Sequence, residues 1–285
     1  MKNAVILCGP PRYYKSSILK IKKYDKNADI YLFLWREDAG SRRRNLNDEI
    51  DLDFINQYCK SFTIQSPPNK SDVDTYSIPF DSDQSMPLNT ISMFYSIKMC
   101  LQSVEASLIN YSKVIRLRTD MILLRNIFGD KIFDDDTLLV SKNYIIRNSF
   151  ISDHLMVGKF DIMKKLWFFQ SLSHLIDDLK KNNNNPEKIL SLRVSRHKIK
   201  TKRLYMRYKD YQIFYNPFVK HDPSWVKPIN ISRRKIKQLF DSEFENFSSD
   251  TQREINSLIS KGRDLQNRSL FKRVTDRIIR YLNGK

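Results

Sequence analysis

Apolar positions along this chain fall into short runs of strand length, separated by longer stretches with helical spacing. Ala4-Val-Ile-Leu-Cys8 is an unbroken run of the sort a strand shows when both its faces are covered. Gly9-Pro-Pro-Arg12 closes it with turn chemistry, and Ser16 to Tyr24 follows as a basic helix. Asp29-Ile-Tyr-Leu-Phe-Leu-Trp35 is a second core strand. Strand, helix and strand in such quick succession predict a βαβ unit, and therefore a parallel sheet.

Arg36 to Asp83 is polar and irregular, with Arg42-Arg-Arg44 and Pro67-Pro68, and contains one more predicted strand near Ser61 to Ile64. Thr90 to Leu108 has helical spacing at Ile91, Phe94, Tyr95, Ile97, Met99, Leu101 and Val104. Strands follow at Val114 to Leu117 and at Thr137 to Ser141, the second after the acidic turn Asp134-Asp-Asp136. Asp153-His-Leu-Met-Val-Gly158 reads as an apolar turn before a single helix from Asp161 to Leu179, with Asp161 as its N-cap. Asn182 to Asn185 is a loop, and Pro186-Glu187 opens the next helix. Tyr211 to Tyr215 is a late strand, and from Ile231 the pattern is helical and loosely amphipathic. The alternation predicts an α/β core with an appended helical, basic tail.

In open sheets of this kind ligands bind beyond the carboxyl ends of the strands. Three polar features fall at predicted strand ends: Gly9 to Arg12, Trp35-Arg36, and Arg118-Thr119-Asp120. The last closes Tyr111-Ser-Lys-Val-Ile-Arg-Leu-Arg-Thr-Asp120, an apolar strand carrying two arginines and a carboxylate. Charged groups leave water only when paired, hydrogen-bonded or bound to an ion. The cluster therefore suits a phosphate, a metal or both, and equally an internal Arg–Asp pair that fixes a loop.

Composition narrows the choice. At 285 residues, 41% hydrophobic and 12% aromatic, the chain can bury a substantial core and is not disordered. Only 6 glycines argue against a glycine-rich dinucleotide-binding fold. Cys8, Cys59 and Cys100 are odd in number and widely spaced, which fits neither a zinc site nor a disulfide framework. They read as small buried hydrophobes in a reducing cytoplasm. No secretory signal and no membrane-spanning run of ~20 apolar residues is visible. The net charge of +18 draws the chain toward polyanions or anionic surfaces. Arg193 to Lys209 holds eight basic residues and no acidic one, so the excess lies mostly in the last third.

A nucleotide-sugar donor would suit these residues. Its diphosphate leaves with negative charge, which arginines can grip with a bidentate fork and a carboxylate can neutralise through a divalent cation. A second carboxylate must take the acceptor hydroxyl's proton or stabilise the oxocarbenium-like centre. Asp153 is the candidate, with a helix cap or loop carboxylate as the alternative.

Taken together, Ile6 to Arg12, Asp29 to Trp35, Ser92 to Ile97, Ile115 to Met121 and Asp153 to Gly158 resemble the bacterial WavE-type glycosyltransferases of lipopolysaccharide, lipooligosaccharide or capsule synthesis. The resemblance implies a single GT-A (Rossmann-like) domain over residues 1–225, with a mixed, mostly parallel sheet, leaving 226–285 as the basic helical extension. It places the nucleotide base and ribose at Gly9, Pro10 and Arg12, and the diphosphate at Arg118, Thr119 and Asp120. The family fold's metal-binding Asp-X-Asp position reads Arg118-Thr119-Asp120, so either Asp120 binds Mn²⁺ or Mg²⁺, with His221 beside it, or Arg118 serves the diphosphate without a metal. Glu187 could reach the acceptor, a surface glycan or lipid-linked glycan. Asp120→Ala should then abolish transfer and leave the fold intact.

Leu270, Phe271, Val274, Ile278, Ile279 and Leu282 recur near helical spacing among Lys272, Arg273, Arg277 and Arg280. This pattern suits a helix on the anionic inner face of the cytoplasmic membrane, or one docked on the protein's own core. Two rival functions remain. Gly9 to Ser17 faintly resembles a sulfotransferase phosphate loop but lacks its second glycine. Arg203-Leu-Tyr-Met-Arg-Tyr-Lys209 would suit nucleic acid, although no nucleic-acid-binding motif accompanies it and no such partner is expected.

Overall fold

The centre of the sheet is built from strands that expose almost nothing. The computed structural model describes residues 2–36, 49–68, 85–129, 136–142, 150–182, 184–206 and 210–213. The chain divides into two units, Met1–Arg42 with Asn47–Phe214, and Arg43–Leu46 with Tyr215–Lys285, and every described residue belongs to the first. The predicted extension over 226–285, its amphipathic helix and His221 all lie outside the described residues.

The elements in order are β1 (Asn3–Gly9), α1 (Tyr14–Tyr24), β2 (Asp29–Trp35), α2 (Leu52–Tyr58), β3 (Ser61–Gln65), α3 (Ser85–Ala106), β4 (Lys113–Arg118), β5 (Met121–Leu123), β6 (Thr137–Lys142) and β7 (Met156–Gly158). They continue with α4 (Phe160–Trp167), α5 (Leu172–Lys181), α6 (Pro186–Arg196), β8 (Lys200–Met206) and β9 (Tyr211–Ile213). Among the described residues seven strands form one sheet in the order β3-β2-β1-β4-β7-β6-β8, and β5 pairs separately with β9. All strands of the large sheet run the same way except β7, which is antiparallel to both β4 and β6. The architecture is therefore the expected α/β type with a mixed, mostly parallel sheet.

β2 is buried at all seven positions, and β1 from Ala4 to Cys8, because both faces of these strands are covered. On one face Ala4, Ile6, Cys8, Tyr31, Phe33 and Trp35 pack with Ile91, Phe94, Ile97, Leu101 and Val104 of α3. The same cluster takes in Trp167 of α4, Leu179 of α5 and Leu190 of α6. Burial of each large apolar side chain contributes roughly 1.5–3 kcal/mol.

Three local expectations change. The single helix from Asp161 to Leu179 is two helices, interrupted at Phe168–Ser171. Arg193 of α6 donates to the carbonyls of Leu166 and Phe168 at 2.9 Å each, so the end of α4 is capped by a side chain that local sequence does not announce. Asp161 lies in the first turn of α4, and the N-cap is Lys159. The basic run from Arg193 to Lys209 contains β8, which among the described residues is the last strand of the sheet.

Candidate active site

β2 and β3 succeed β1 on one side, and β4 lies on the other. The strand order thus reverses between β1 and β4, the place at which open α/β sheets bind ligands. The loops that leave these two strands are Gly9 to Tyr13 and Thr119-Asp120.

Their approach is set by small groups. Gly9 has φ +147°, and a Cβ built on it would lie 2.5 Å from Thr119 Oγ1, so a glycine is required for the β4 turn to close against β1. Ser17 of α1 places its Oγ 3.1 Å from the carbonyl oxygen of Thr119 and 2.8 Å from that of Met121. The Pro10 carbonyl accepts from the Arg12 N–H at 2.7 Å, which turns the Arg12 side chain toward β4.

Three charges then meet. Arg118 donates from Nε to Asp120 Oδ1 at 2.8 Å and from Nη2 to Oδ2 at 2.7 Å, while Arg12 Nη1 reaches Oδ2 at 3.3 Å. Asp120 is 2% exposed, whereas the Arg118 side chain is 23% exposed. Burial alone would raise the Asp120 carboxyl; the charge and hydrogen bonds of Arg118, then Arg12 and His154, override it and hold it well below the usual carboxylate range.

The reversal of β7 brings a second segment to this edge. Because β7 runs against β4, the residues that lead into it, Ser152 to Leu155, arrive at the carboxyl ends of the parallel strands. Asp153 is buried there. Burial opposes its charge, but His154, Arg116 and Arg118 together hold its carboxyl below the ordinary value. His154 Nε2 lies 3.7 Å from Asp153 Oδ1, and its Nδ1 lies 3.2 Å from the Tyr211 hydroxyl. Tyr211 belongs to β9, which pairs with β5 directly after Asp120, so this contact joins the two segments.

Gly9, Pro10, Arg12, Arg118, Thr119, Asp120 and Asp153 thus share one edge of the sheet. Glu187 adjoins it through its backbone, its carbonyl accepting from the Ile151 N–H at 3.4 Å. Arg36 stands at the end of β2, where its N–H is held by the Gln65 carbonyl at 2.9 Å. Sequence reasoning counted Arg116 among the charges of its strand without giving it a role, and it passed over His154 and Tyr211. A charge inside a core strand was the available signal for Arg116, and adjacency to Asp153 was the signal for His154. Nothing in the sequence pointed to Tyr211.

Among the described residues the arrangement at Asp120 is not one that holds a divalent cation; His221, the other expected ligand, lies outside them. Both its oxygens are engaged by guanidinium groups, and Arg12 and Arg118 repel a second positive charge. Among the described residues no three His, Cys, Asp or Glu side chains gather closely enough to share a metal ion.

No family model matches this chain, and no curated protein matches it in sequence. Among solved structures it is similar to the crystal structure of the glycosyltransferase GlyE of Streptococcus pneumoniae TIGR4, at 13% identity and a TM-score of 0.41, over 72% of this chain and 45% of that one. The apo form of that enzyme is similar at 13% identity and a TM-score of 0.38, over 71% and 45% respectively. The chain spans less than half the length of either structure.

Proposed function

We propose that this chain is a glycosyltransferase that moves a sugar from a nucleotide donor onto an acceptor hydroxyl. The observation that carries the reading is the pair of arginines oriented by one buried carboxylate, Arg12 and Arg118 on Asp120, at the switch point between β1 and β4. Arginines fixed in advance can stabilise the charge that develops on a departing diphosphate without reorganising when the bond breaks. Asp120 then acts by holding both guanidinium groups, and no step needs a cation at its oxygens.

On this reading Asp153 takes the proton of the acceptor hydroxyl. A carboxylate kept ionised at neutral pH is in the correct state to accept, and His154 beside it steadies the charge. Gly9 to Arg12 receives the nucleoside. The resemblance of the sequence motifs to WavE-type enzymes supports a GT-A domain and a bacterial surface glycan, of lipopolysaccharide, lipooligosaccharide or capsule, as acceptor. The basic residues beyond 260 support work at an anionic membrane face. Among the described residues no helix is long and apolar enough to cross a membrane.

The test is a panel of nucleotide sugars scored for thermal stabilisation and hydrolysis, with Mn²⁺ and with EDTA. One donor should stabilise the chain equally in both conditions. Arg118→Lys keeps the charge but loses the fork, and should weaken that donor by about tenfold. A panel in which no nucleotide sugar binds or is cleaved removes the proposal.

A further inference from the structure

β4 carries a charge where a central strand ordinarily carries none. Arg116 pairs in register with Ile6 of β1 on one side and Met156 of β7 on the other, and it is 1% exposed. Among the described residues it has no ion-pair partner, and its Nε has no acceptor. Its Nη1 instead donates to two main-chain carbonyls, those of Asp153 and His154, the second at 2.8 Å. Its Cζ lies 5.6 Å from the centre of the buried Trp167 ring, which floors the guanidinium from α4.

Burial of a guanidinium without a carboxylate partner is costly, and an apolar side chain of similar length would serve stability better. The position of its two acceptors shows what the charge is for. Pairing between β4 and β7 ends at Arg116 and Met156, so the ladder does not extend to Asp153 and His154. Arg116 replaces the missing ladder bonds with a side-chain clamp, one hydrogen to each carbonyl, on the residues that deliver the Asp153 carboxylate to the strand ends. Its charge also faces Asp153 and favours the ionised form.

We propose that Arg116 is a positioning residue that clamps the Asp153–His154 main chain to the end of β4 and thereby sets where the Asp153 carboxylate meets the acceptor. The inference rests on the glycosyltransferase reading for its catalytic consequence, but not for the clamp itself. Two variants of the full chain test it: Arg116→Met, which fills the space without charge, and Arg116→Lys, which keeps the charge on a side chain one atom shorter, so that its ammonium falls short of the two carbonyls that Nη1 meets. The first readout needs no substrate. It is the carboxyl ¹³C titration of Asp153 in a chain labelled at aspartate Cγ, with the signal assigned from Asp153→Asn. In Arg116→Met the signal should move and titrate at higher pH than in the wild type; in Arg116→Lys, where the charge is kept, it should move in position with the smaller change in midpoint. An Asp153 signal unchanged in position and midpoint in a folded variant overturns the clamp. The second readout is turnover of whichever donor the nucleotide-sugar panel yields. Both variants should lose about a hundredfold in kcat, with donor KM within about threefold, because Arg12 and Arg118 still hold the donor. Wild-type kcat in a folded variant overturns the positioning role. A wild-type chain without any transfer activity speaks against the glycosyltransferase reading alone, and the titration then still decides the clamp.

Discussion

Arg118 closes on Asp120, two residues along the same chain, with both nitrogens of one guanidinium edge: Nε to Oδ1 at 2.8 Å and Nη2 to Oδ2 at 2.7 Å. A fork held along one edge cannot rotate, so the direction of its other edge is fixed by the same contact. Arg12 arrives on Oδ2 from the loop after β1 and ties the two strand ends together through this carboxylate.

That burial changes what Asp120→Ala should do. Its loss leaves two largely buried guanidinium groups facing each other, at a cost of about 3 kcal/mol. The variant should therefore be destabilised in urea denaturation as well as impaired in nucleotide binding. Asp120→Asn keeps one acceptor and should lose less. Wild-type stability in Asp120→Ala would show that the pair is solvated.

Gly9 and Thr119 should be coupled. Gly9→Ala brings a methyl group within 2.5 Å of Thr119 Oγ1 and also holds alanine at φ +147°, together costing about 2–3 kcal/mol. Thr119→Ala removes the clashing oxygen but not the backbone strain. In a double-mutant cycle, Gly9→Ala should cost about half as much in the Thr119→Ala background. Strict additivity would mean that the two loops are further apart than the structure places them.

Much of this could be read from the residues alone. The strands Ala4 to Cys8, Asp29 to Trp35, Val114 to Leu117 and Thr137 to Ser141 are legible because a strand covered on both faces is mostly apolar, with Arg116 as the charged exception inside the third. So is the gathering of Gly9 to Arg12 with Arg118 to Asp120, since neighbouring parallel strands end at one edge. The reversal of β7 is not legible: Met156 to Gly158 is three residues long, and its direction depends on its neighbours. Without that reversal Asp153 is only a carboxylate before a helix, and neither His154 nor Tyr211 has a reason to be near it. The break between α4 and α5 is hidden because Phe168 and Phe169 continue the apolar pattern, while the cap comes from Arg193.

Acid should unfold the chain through two carboxylates in particular. Asp120 and Asp153 are both held below their ordinary value of 3.8, so each contributes stability above about pH 4, and that contribution is lost as pH falls through the lower native value. Thermal midpoints should be insensitive to these groups between pH 5 and 7 and decline below about pH 4. Asp120→Asn should flatten that decline. An equally steep acid limb in the variant would place the responsible carboxylates elsewhere.

The packing of α4 against α6 should depend on Arg193. Its Nη1 satisfies the carbonyls of Leu166 and Phe168, its Nη2 meets Asp178 Oδ2 at 3.2 Å, and its Cζ lies 5.3 Å from the centre of the Phe94 ring. Phe94 in turn packs against Trp167 at 5.0 Å between centroids, and Trp167 lies beneath Arg116. Arg193→Met preserves bulk but leaves two carbonyls and one carboxylate without their donor, which should cost about 3 kcal/mol. Adding Asp178→Leu restores the carboxylate's share alone, so the double variant should recover only part of the loss. If it recovers everything, the carbonyl contacts contribute nothing, and the end of α4 is held by the apolar packing of Trp167 instead.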